Sequence, residues 1–243
     1  MIHDYLQRGV ASGLVAGLAY GLYMVLVGNP LSGYVDAVAA GPDGHASEGA
    51  GHVVSETMTA AVSATSGVLW GILLGGVFAI AFYFLEPALP GRGDVKAYVL
   101  AGAGFLSVSV TPWLVFPPAA PGAVQRYGID TRIAVYLGLV VVGVGLSALA
   151  IGAYKRFARR HLGLGILAGA APILVVAVVL TTLAPTVVTH PDLPADLVAA
   201  YRGLVILTQA ALWALIAGTF TRLRRRADRD RSTRPTGEAL SDI

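Results

Sequence analysis

Charged side chains are scarce in this chain, since Lys, Arg, Asp and Glu make up 13% of its 243 residues. A soluble domain carries about 25%, so too few charges are present to keep the surface of a water-soluble globule hydrated. Hydrophobic residues account for 56%, which excludes a disordered chain, because disorder requires low hydrophobicity and high net charge. The composition is that of an integral membrane protein.

Cysteine is absent, which excludes disulfides, thiolate metal sites and cysteine nucleophiles. The motifs of the common enzyme classes are missing too, because the sequence contains no GxSxG, HExxH or Walker-type phosphate loop. We therefore expect no enzymatic activity and no tightly bound cofactor. The net charge of +3 and the pI of about 9.3 do not indicate a nucleic-acid partner, because the basic residues flank the apolar stretches.

Six uncharged stretches are long enough to cross a bilayer. About 20 apolar residues in a helix span the roughly 30 Å of hydrocarbon, and the strand-like alternation of an outer-membrane barrel is missing. We predict an all-α polytopic membrane protein, in which one domain of residues 1–223 forms a bundle of six transmembrane helices. Consecutive helices could form three hairpins. The predicted spans are residues 9–28, 58–85, 97–116, 134–153, 162–183 and 203–221.

The first stretch has a second interpretation as a signal peptide, with small residues suited to cleavage around Val38-Ala39-Ala40. Its apolar core of about 20 residues is longer than the usual 7–15. This length favours a retained helix, although the sequence leaves cleavage open.

Lysine and arginine predict the orientation, because they concentrate in cytoplasmic loops. Fourteen of the 17 basic residues fall on the side of the termini, and only Arg126, Arg132 and Arg202 fall on the other. We therefore expect a multi-pass protein of the cytoplasmic membrane with both termini inside. The basic tail, residues 224–243, is expected to be disordered and to lie near anionic lipid headgroups.

Two runs of glycine at i, i+4 spacing predict close helix packing. Small residues let helix backbones approach within a membrane, where association depends on van der Waals contact. We expect the first and second helices to pack through these runs, although another helix or a second subunit in a homo-oligomer would also fit. The runs are Gly9, Gly13, Gly17 and Gly21 in the first helix, and Gly67, Gly71 and Gly75 in the second.

Polar residues within the spans are few, and no ionisable residue falls at mid-membrane. Ser107, Ser109 and Thr111 precede Pro112 in the third helix, and Gln209 lies in the sixth. Pro112 frees a carbonyl one turn earlier, and such groups could line a hydrated path through the bundle. The alternative is that they form hydrogen bonds between helices.

Two arginines follow the proline-rich outer connections. Arg132 and Arg202 each stand 11 residues after a proline, at the mouths of the fourth and sixth helices. A guanidinium is a poor ligand for a cation, so we expect both to fix an outer vestibule by pairing with Asp130, Asp192 or Asp196. The shared spacing would also fit a parallel repeat of two-helix units.

The outer loop between the first two helices carries a candidate metal site. Asp43, His45, Glu48, His52 and Glu56 lie in a glycine-rich segment that contains no Lys or Arg. Neutral imidazole and carboxylate groups suit borderline divalent ions such as Co²⁺, Ni²⁺ and Zn²⁺. In a helix the spacing of His52 and Glu56 would put both on one face. The alternative is a solvated acidic loop that binds nothing.

The chain resembles the CbtA family of probable cobalt transporter subunits. The resemblance covers roughly Gly9 to Leu223, and three segments carry it. They are Gly67 to Phe84, then Thr111 to Tyr136 with Pro112, Phe116-Pro117-Pro118, Pro121-Gly122 and Arg132, and finally Leu193-Pro194-Ala195-Asp196-Leu197 with Tyr201-Arg202, Gln209 and Trp213.

The resemblance implies a role in cobalt uptake for cobalamin synthesis, beside a small one-helix CbtB-like subunit. Our leading hypothesis is a membrane subunit that captures Co²⁺ or Ni²⁺ at the outer His/Glu loop and passes it between the third, fourth and sixth helices. The alternative is a non-transporting scaffold or assembly protein that packs a partner helix on its glycine faces. The ion, the energy source and the oligomeric state are left open by the sequence.

Overall fold

The computed structural model describes residues 2–41, 56–184 and 187–232. Within these residues six helices are long and apolar enough to cross a membrane, which confirms the all-α, six-span prediction. The helices are α1 (Ile2–Tyr23), α2 (Asn29–Ala40), α3 (Glu56–Leu85), α4 (Val95–Phe105), α5 (Thr111–Trp113), α6 (Ile129–Phe157), α7 (Leu162–Leu183) and α8 (Ala195–Ser232).

Two π-helical segments keep the first and third spans continuous. The segment π1 (Met24–Gly28) joins α1 to α2, and π2 (Leu106–Val110) joins α4 to α5. Each ends just before an Xaa-Pro pair, at Pro30 and at Pro112. Proline lacks an N–H and clashes with the carbonyl four residues earlier, and the wider π turn accommodates it. The first span therefore continues to Ala40 instead of ending at Gly28.

The glycine runs of α1 and α3 lie against each other. A Cβ atom added at Gly17 would lie 2.9 Å from the Gly67 carbonyl oxygen, and one added at Gly21 would lie 2.8 Å from the Ala64 oxygen. Such distances leave no room for a side chain, so the two backbones are in contact. The glycines meet in antiparallel order, with Gly9 opposite Gly75, Gly13 opposite Gly71 and Gly17 opposite Gly67. Both glycine faces are therefore filled.

Helix α8 is central to the bundle and packs on α1 and α4. Its buried side chains Leu212, Trp213, Ile216 and Phe220 join Phe78 and Phe82 of α3 in the main hydrophobic core. Trp213 fits against α4 because Gly104 has no side chain, and a Cβ atom there would lie 2.5 Å from the indole ring.

The chain does not form three hairpins. Helices α1 and α3 form one pair, and the third span forms another with α6. Helices α7 and α8 do not pair, because α7 packs mainly on α6 and α8 packs on α1 and α4. The connection between α6 and α7 has only four residues, so it holds these two helices side by side. The longer connection from α7 to α8 allows the two helices to separate, so the fifth and sixth spans do not pair as the third and fourth do.

The bundle has two unlike ends. An even number of spans brings residues 2 and 232 to the same end, called here the termini end. At the opposite loop end, strand β1 (Val124–Gln125) pairs antiparallel with β2 (Val188–Thr189), which joins the two proline-rich connections. A second apolar cluster lies there and consists of Val35 of α2 with Ala120, Leu193 and Val198.

Part of the expected disordered tail is helical, because α8 extends to Ser232. Arg224 and Arg225 form ion pairs with Glu86 and Asp94, which holds the first extra turn against the connection between α3 and α4. Residues 224–232 are therefore helical in the structure, while residues 233–243 lie outside the described part of the chain.

Substitution of Gly13 by leucine tests the glycine contact. The new side chain would overlap the backbone at Gly71, and we expect a loss of at least about 2 kcal/mol in the free energy of unfolding. The measurement is the melting temperature in detergent. Gly138→Leu is the matched control, because no atom lies within 4 Å of a Cβ added there. Equal melting temperatures for the two variants would contradict the contact.

Candidate functional site

Ser107 of the third span forms a hydrogen bond with α6. Ser107 Oγ donates to the Ala103 carbonyl oxygen at 2.7 Å and lies 3.1 Å from Ser147 Oγ. Gly143 permits this approach, since a Cβ there would lie 2.6 Å from Ser107 Cα. Ser109 is also buried. The Ser107–Ser147 contact is an interhelical hydrogen bond. The sequence had left open whether such residues form bonds of this kind or line a hydrated path.

The carbonyl that Pro112 leaves without its helical donor is also satisfied. Tyr136 on α6 donates its hydroxyl to the Val108 oxygen at 2.6 Å, and Thr111 Oγ1 donates to the Leu106 oxygen at 2.8 Å. Pro112 itself is fully buried. The Tyr136 bond therefore holds α6 to the third span, while the Thr111 bond lies within that span.

Gln209 is half-buried on α8, one turn before Trp213. Across the described residues its amide has no hydrogen-bond partner, so it does not clamp a neighbouring helix there. An amide within hydrocarbon needs a partner, and the described residues supply none for Gln209.

Arg202 and His190 fasten the proline-rich connections at the loop end. Arg202 Nε donates to the Pro118 carbonyl oxygen at 3.3 Å, and the Ala120 N–H donates to His190 Nε2 at 3.0 Å. Nε2 can accept this bond only in the neutral ring, which carries its proton on Nδ1. Burial and the nearby Arg202 charge lower the pKa of His190, which favours the same neutral form.

The expected ion pairs of Arg132 and Arg202 are not formed. Neither arginine pairs with an acidic group in the parts of the chain that the structure describes, and Asp130, Asp192 and Asp196 are all exposed. A solvated carboxylate gains little from a surface pair, which explains why these aspartates remain in water. Arg132 instead lines an open cavity at the start of α6.

A groove between α1 and α8 opens at the loop end. It contains two adjoining cavities of about 230 and 250 Å³, which share Tyr20, Tyr23, Leu204 and Thr208 as lining residues. Tyr201, Ser32 and Met24 add two hydroxyl groups and a thioether to the outer cavity. The groove is lined by hydroxyl and apolar groups and by no charged residue of the described chain. It was not predicted from the sequence.

The predicted metal-binding residues lie almost entirely outside the described residues. Asp43, His45, Glu48 and His52 belong to residues 42–55, and Glu56 is the first residue of α3. Helix α2 ends and helix α3 begins at the loop end. Elsewhere, over residues 2–41, 57–184 and 187–229, no group of three or more His, Asp and Glu side chains could hold a metal ion.

At the termini end, Glu86 connects three helices. Arg224 of α8 donates to Glu86 Oε1 at 2.7 Å, and Tyr5 of α1 donates to Oε2 at 3.1 Å. The Arg224 guanidinium also lies 5.5 Å from the centre of the Phe82 ring. Sequence analysis missed this cluster, because its members are far apart in the chain. Its only local signal is an acidic residue directly after a long apolar run.

Replacement of Glu86 by glutamine tests this cluster. The pair is partly shielded from water, so we expect E86Q to lower the free energy of unfolding by about 1–3 kcal/mol. The measurement is a double-mutant cycle with R224Q, which should show coupling between the two positions. R222Q removes an exposed arginine two residues away and serves as the control. Additive effects of E86Q and R224Q would contradict the interaction.

Acidification tests the role of His190. The pKa of His190 is lower in the folded protein than the ordinary value of 6.5. Its contribution to the free energy of unfolding is therefore complete above pH 6.5 and is lost as the pH falls below 6.5. Protonation of Nε2 removes the acceptor for the Ala120 N–H. We expect the melting temperature of the wild-type protein to fall more between pH 8 and pH 5 than that of H190Q, whose amide oxygen can accept the bond without titrating. Parallel pH profiles would exclude this role.

Comparison with known proteins identifies one family. No curated protein and no solved structure matches the chain. The sequence model of the CbtA family, described as a probable cobalt transporter subunit, matches residues 2–225. The match includes the first helix, all six spans, and the two residues of the Glu86–Arg224 pair. The chain therefore belongs to the CbtA family.

Proposed function

We propose that this protein is the integral membrane subunit of an uptake system for divalent cations, with Co²⁺ as the principal ion and Ni²⁺ as the nearest alternative. The observation that carries the proposal is the family match over residues 2–225. The bundle of six apolar helices fits a role in moving a solute across a membrane. Charge distribution and ligand chemistry support the orientation, the capture site and the route that we propose.

The proposed orientation places both termini in the cytoplasm and the loop end outside the cytoplasmic membrane. Fourteen of the 17 basic residues belong to the termini end or its connections, and basic residues favour the cytoplasmic side. The loop between α2 and α3 would then face the exterior, together with the two proline-rich connections. An uptake system needs its first binding site on that side.

The loop between α2 and α3 is the proposed capture site. Ser63 Oγ donates to Asn29 Oδ1 at 3.1 Å, so these two residues lie at the same level of the bundle. Helix α2 continues for 11 residues beyond Asn29, about 16 Å at the rise of an α-helix, and α3 begins seven residues before Ser63. Both helices therefore continue past this level towards the loop end.

The ligand chemistry favours a borderline divalent ion. Asp43, His45, Glu48, His52 and Glu56 offer two imidazoles and three carboxylates, a set that suits Co²⁺ and Ni²⁺. The chain has no cysteine that would favour softer ions. We propose that two histidines and one or more of these carboxylates hold the ion.

The proposed route inward begins at the groove between α1 and α8. The alternative route beside Ser109, Thr111 and Pro112 is less favourable, because all three residues are buried and the Thr111 hydroxyl is already bound to the Leu106 oxygen. Tyr20, Tyr23, Tyr201 and Thr208 offer hydroxyl oxygens along the groove. No acidic residue lies in the central parts of the spans, so a second subunit would supply the stronger ligands. A small one-helix CbtB-like protein is the proposed partner.

A non-transporting scaffold is the second candidate function. The lack of ionisable residues at mid-membrane favours it, since such residues mark most ion pathways. A partner helix could not occupy the glycine faces, which α1 and α3 already fill. Helix α7 offers the largest free surface, because Gly165 is its only buried residue in the described structure.

The double substitution H45A/H52A tests the capture site. We expect the affinity of the purified protein for Co²⁺ to fall about tenfold or more, because two of the proposed ligands are lost. The measurements are calorimetric titration with Co²⁺ in lipid nanodiscs and uptake of radioactive cobalt by cells.

His3→Ala is the control, since it removes a histidine at the termini end. Unchanged affinity in H45A/H52A would refute the capture loop. Cobalt uptake that needs a co-expressed one-helix partner would support the subunit role. A complex that forms with that partner but neither binds nor transports cobalt would favour the scaffold.

A further inference from the structure

The largest of the three described cavities lies where α6 leaves the membrane at the loop end. Its volume is about 470 Å³. Its walls are mainly apolar and come from the first turns of α6, the proline-rich connection before it, and Val188 of β2. Arg132 is the only charged side chain among the described residues that line it.

Arg132 has no partner that balances its charge. Its side chain is half-buried, and within the described structure it forms neither an ion pair nor a hydrogen bond. A guanidinium beside apolar walls is costly unless an anion is present, and phosphate is the anion that its planar donor fork fits best. The cavity therefore has an unmet requirement for a negatively charged group.

The depth of Arg132 in the bilayer indicates where that group comes from. The uncharged segment of α6 between Arg132 and Lys155, residues 133–154, spans about 33 Å as a helix. This length matches the hydrocarbon thickness of about 30 Å, so Arg132 lies at the level of the lipid headgroups. Ile129 and Leu137, which line the cavity, are 68% and 58% exposed, so the cavity opens sideways to the lipid.

We propose that this cavity binds an anionic phospholipid, with its phosphodiester paired to Arg132 and one acyl chain along Ile133 and Leu137. Gln125 lines the cavity and provides a second polar contact for the headgroup. Tyr136 does not donate to the lipid, because its hydroxyl is bound to the Val108 oxygen. The lipid would fill the space between α6 and the proline-rich connection and so hold the loop end together. This site is independent of cobalt transport.

Lipid binding to the full-length protein tests the proposal. Delipidated protein in detergent is titrated with phosphatidylglycerol and with phosphatidylcholine of the same acyl chains, and bound lipid is counted by native mass spectrometry. We expect phosphatidylglycerol to bind more tightly and to raise the melting temperature. R132Q should weaken phosphatidylglycerol binding by about tenfold, whereas R126Q, which removes an exposed arginine at the same end, should leave it unchanged.

Three outcomes would overturn the proposal. The first is equal binding of the two lipids to the wild-type protein. The second is full phosphatidylglycerol affinity in R132Q. A rise in melting temperature with inorganic phosphate as large as that with phosphatidylglycerol would assign the site to a free anion instead of a lipid. If R132Q does not fold, R132K takes its place, and its weaker, single-point contact should reduce the preference for phosphatidylglycerol.

Discussion

The contact between the backbones of α1 and α3 is the constraint on which the rest of the fold depends. Within hydrocarbon, apolar side chains gain little by leaving lipid for protein, so close van der Waals contact must hold helices together. The glycine runs provide that contact along four turns. With one face of α1 fixed on α3, its adjoining face, including Ala16 and Tyr20, is directed to α8. The groove between α1 and α8 follows from that arrangement.

The two ends of the bundle differ in a way that suits a directional function. At the termini end, the Glu86–Arg224 pair and the Phe78, Phe82 and Phe220 rings close the space between α1, α3 and α8. The outer cavities and the proline-rich connections lie towards the loop end. The structure thus has closely packed α1, α3 and α8 at the end beside most of its basic residues, and open cavities at the other end.

The sequence predicted the six spans and the facing glycine runs, because length, hydropathy and i, i+4 spacing are local properties. It did not predict the extension of the first span past Pro30, since a π turn depends on backbone geometry that composition does not reveal. The Glu86–Arg224 pair joins residues 138 positions apart, and no local pattern indicates it. We expected Arg132 to pair with an aspartate at the loop end. The sequence did not reveal that the carboxylates of these aspartates are exposed to water.

The central claim is that the loop with His45 and His52 faces the exterior and the basic tail faces the cytoplasm. Because the chain has no cysteine, single cysteines at Ala46 and Ser241 can be labelled in intact cells with a membrane-impermeant thiol reagent. The account predicts that A46C is labelled in intact cells and that S241C is labelled only after permeabilisation. Labelling of S241C, but not of A46C, in intact cells would contradict it.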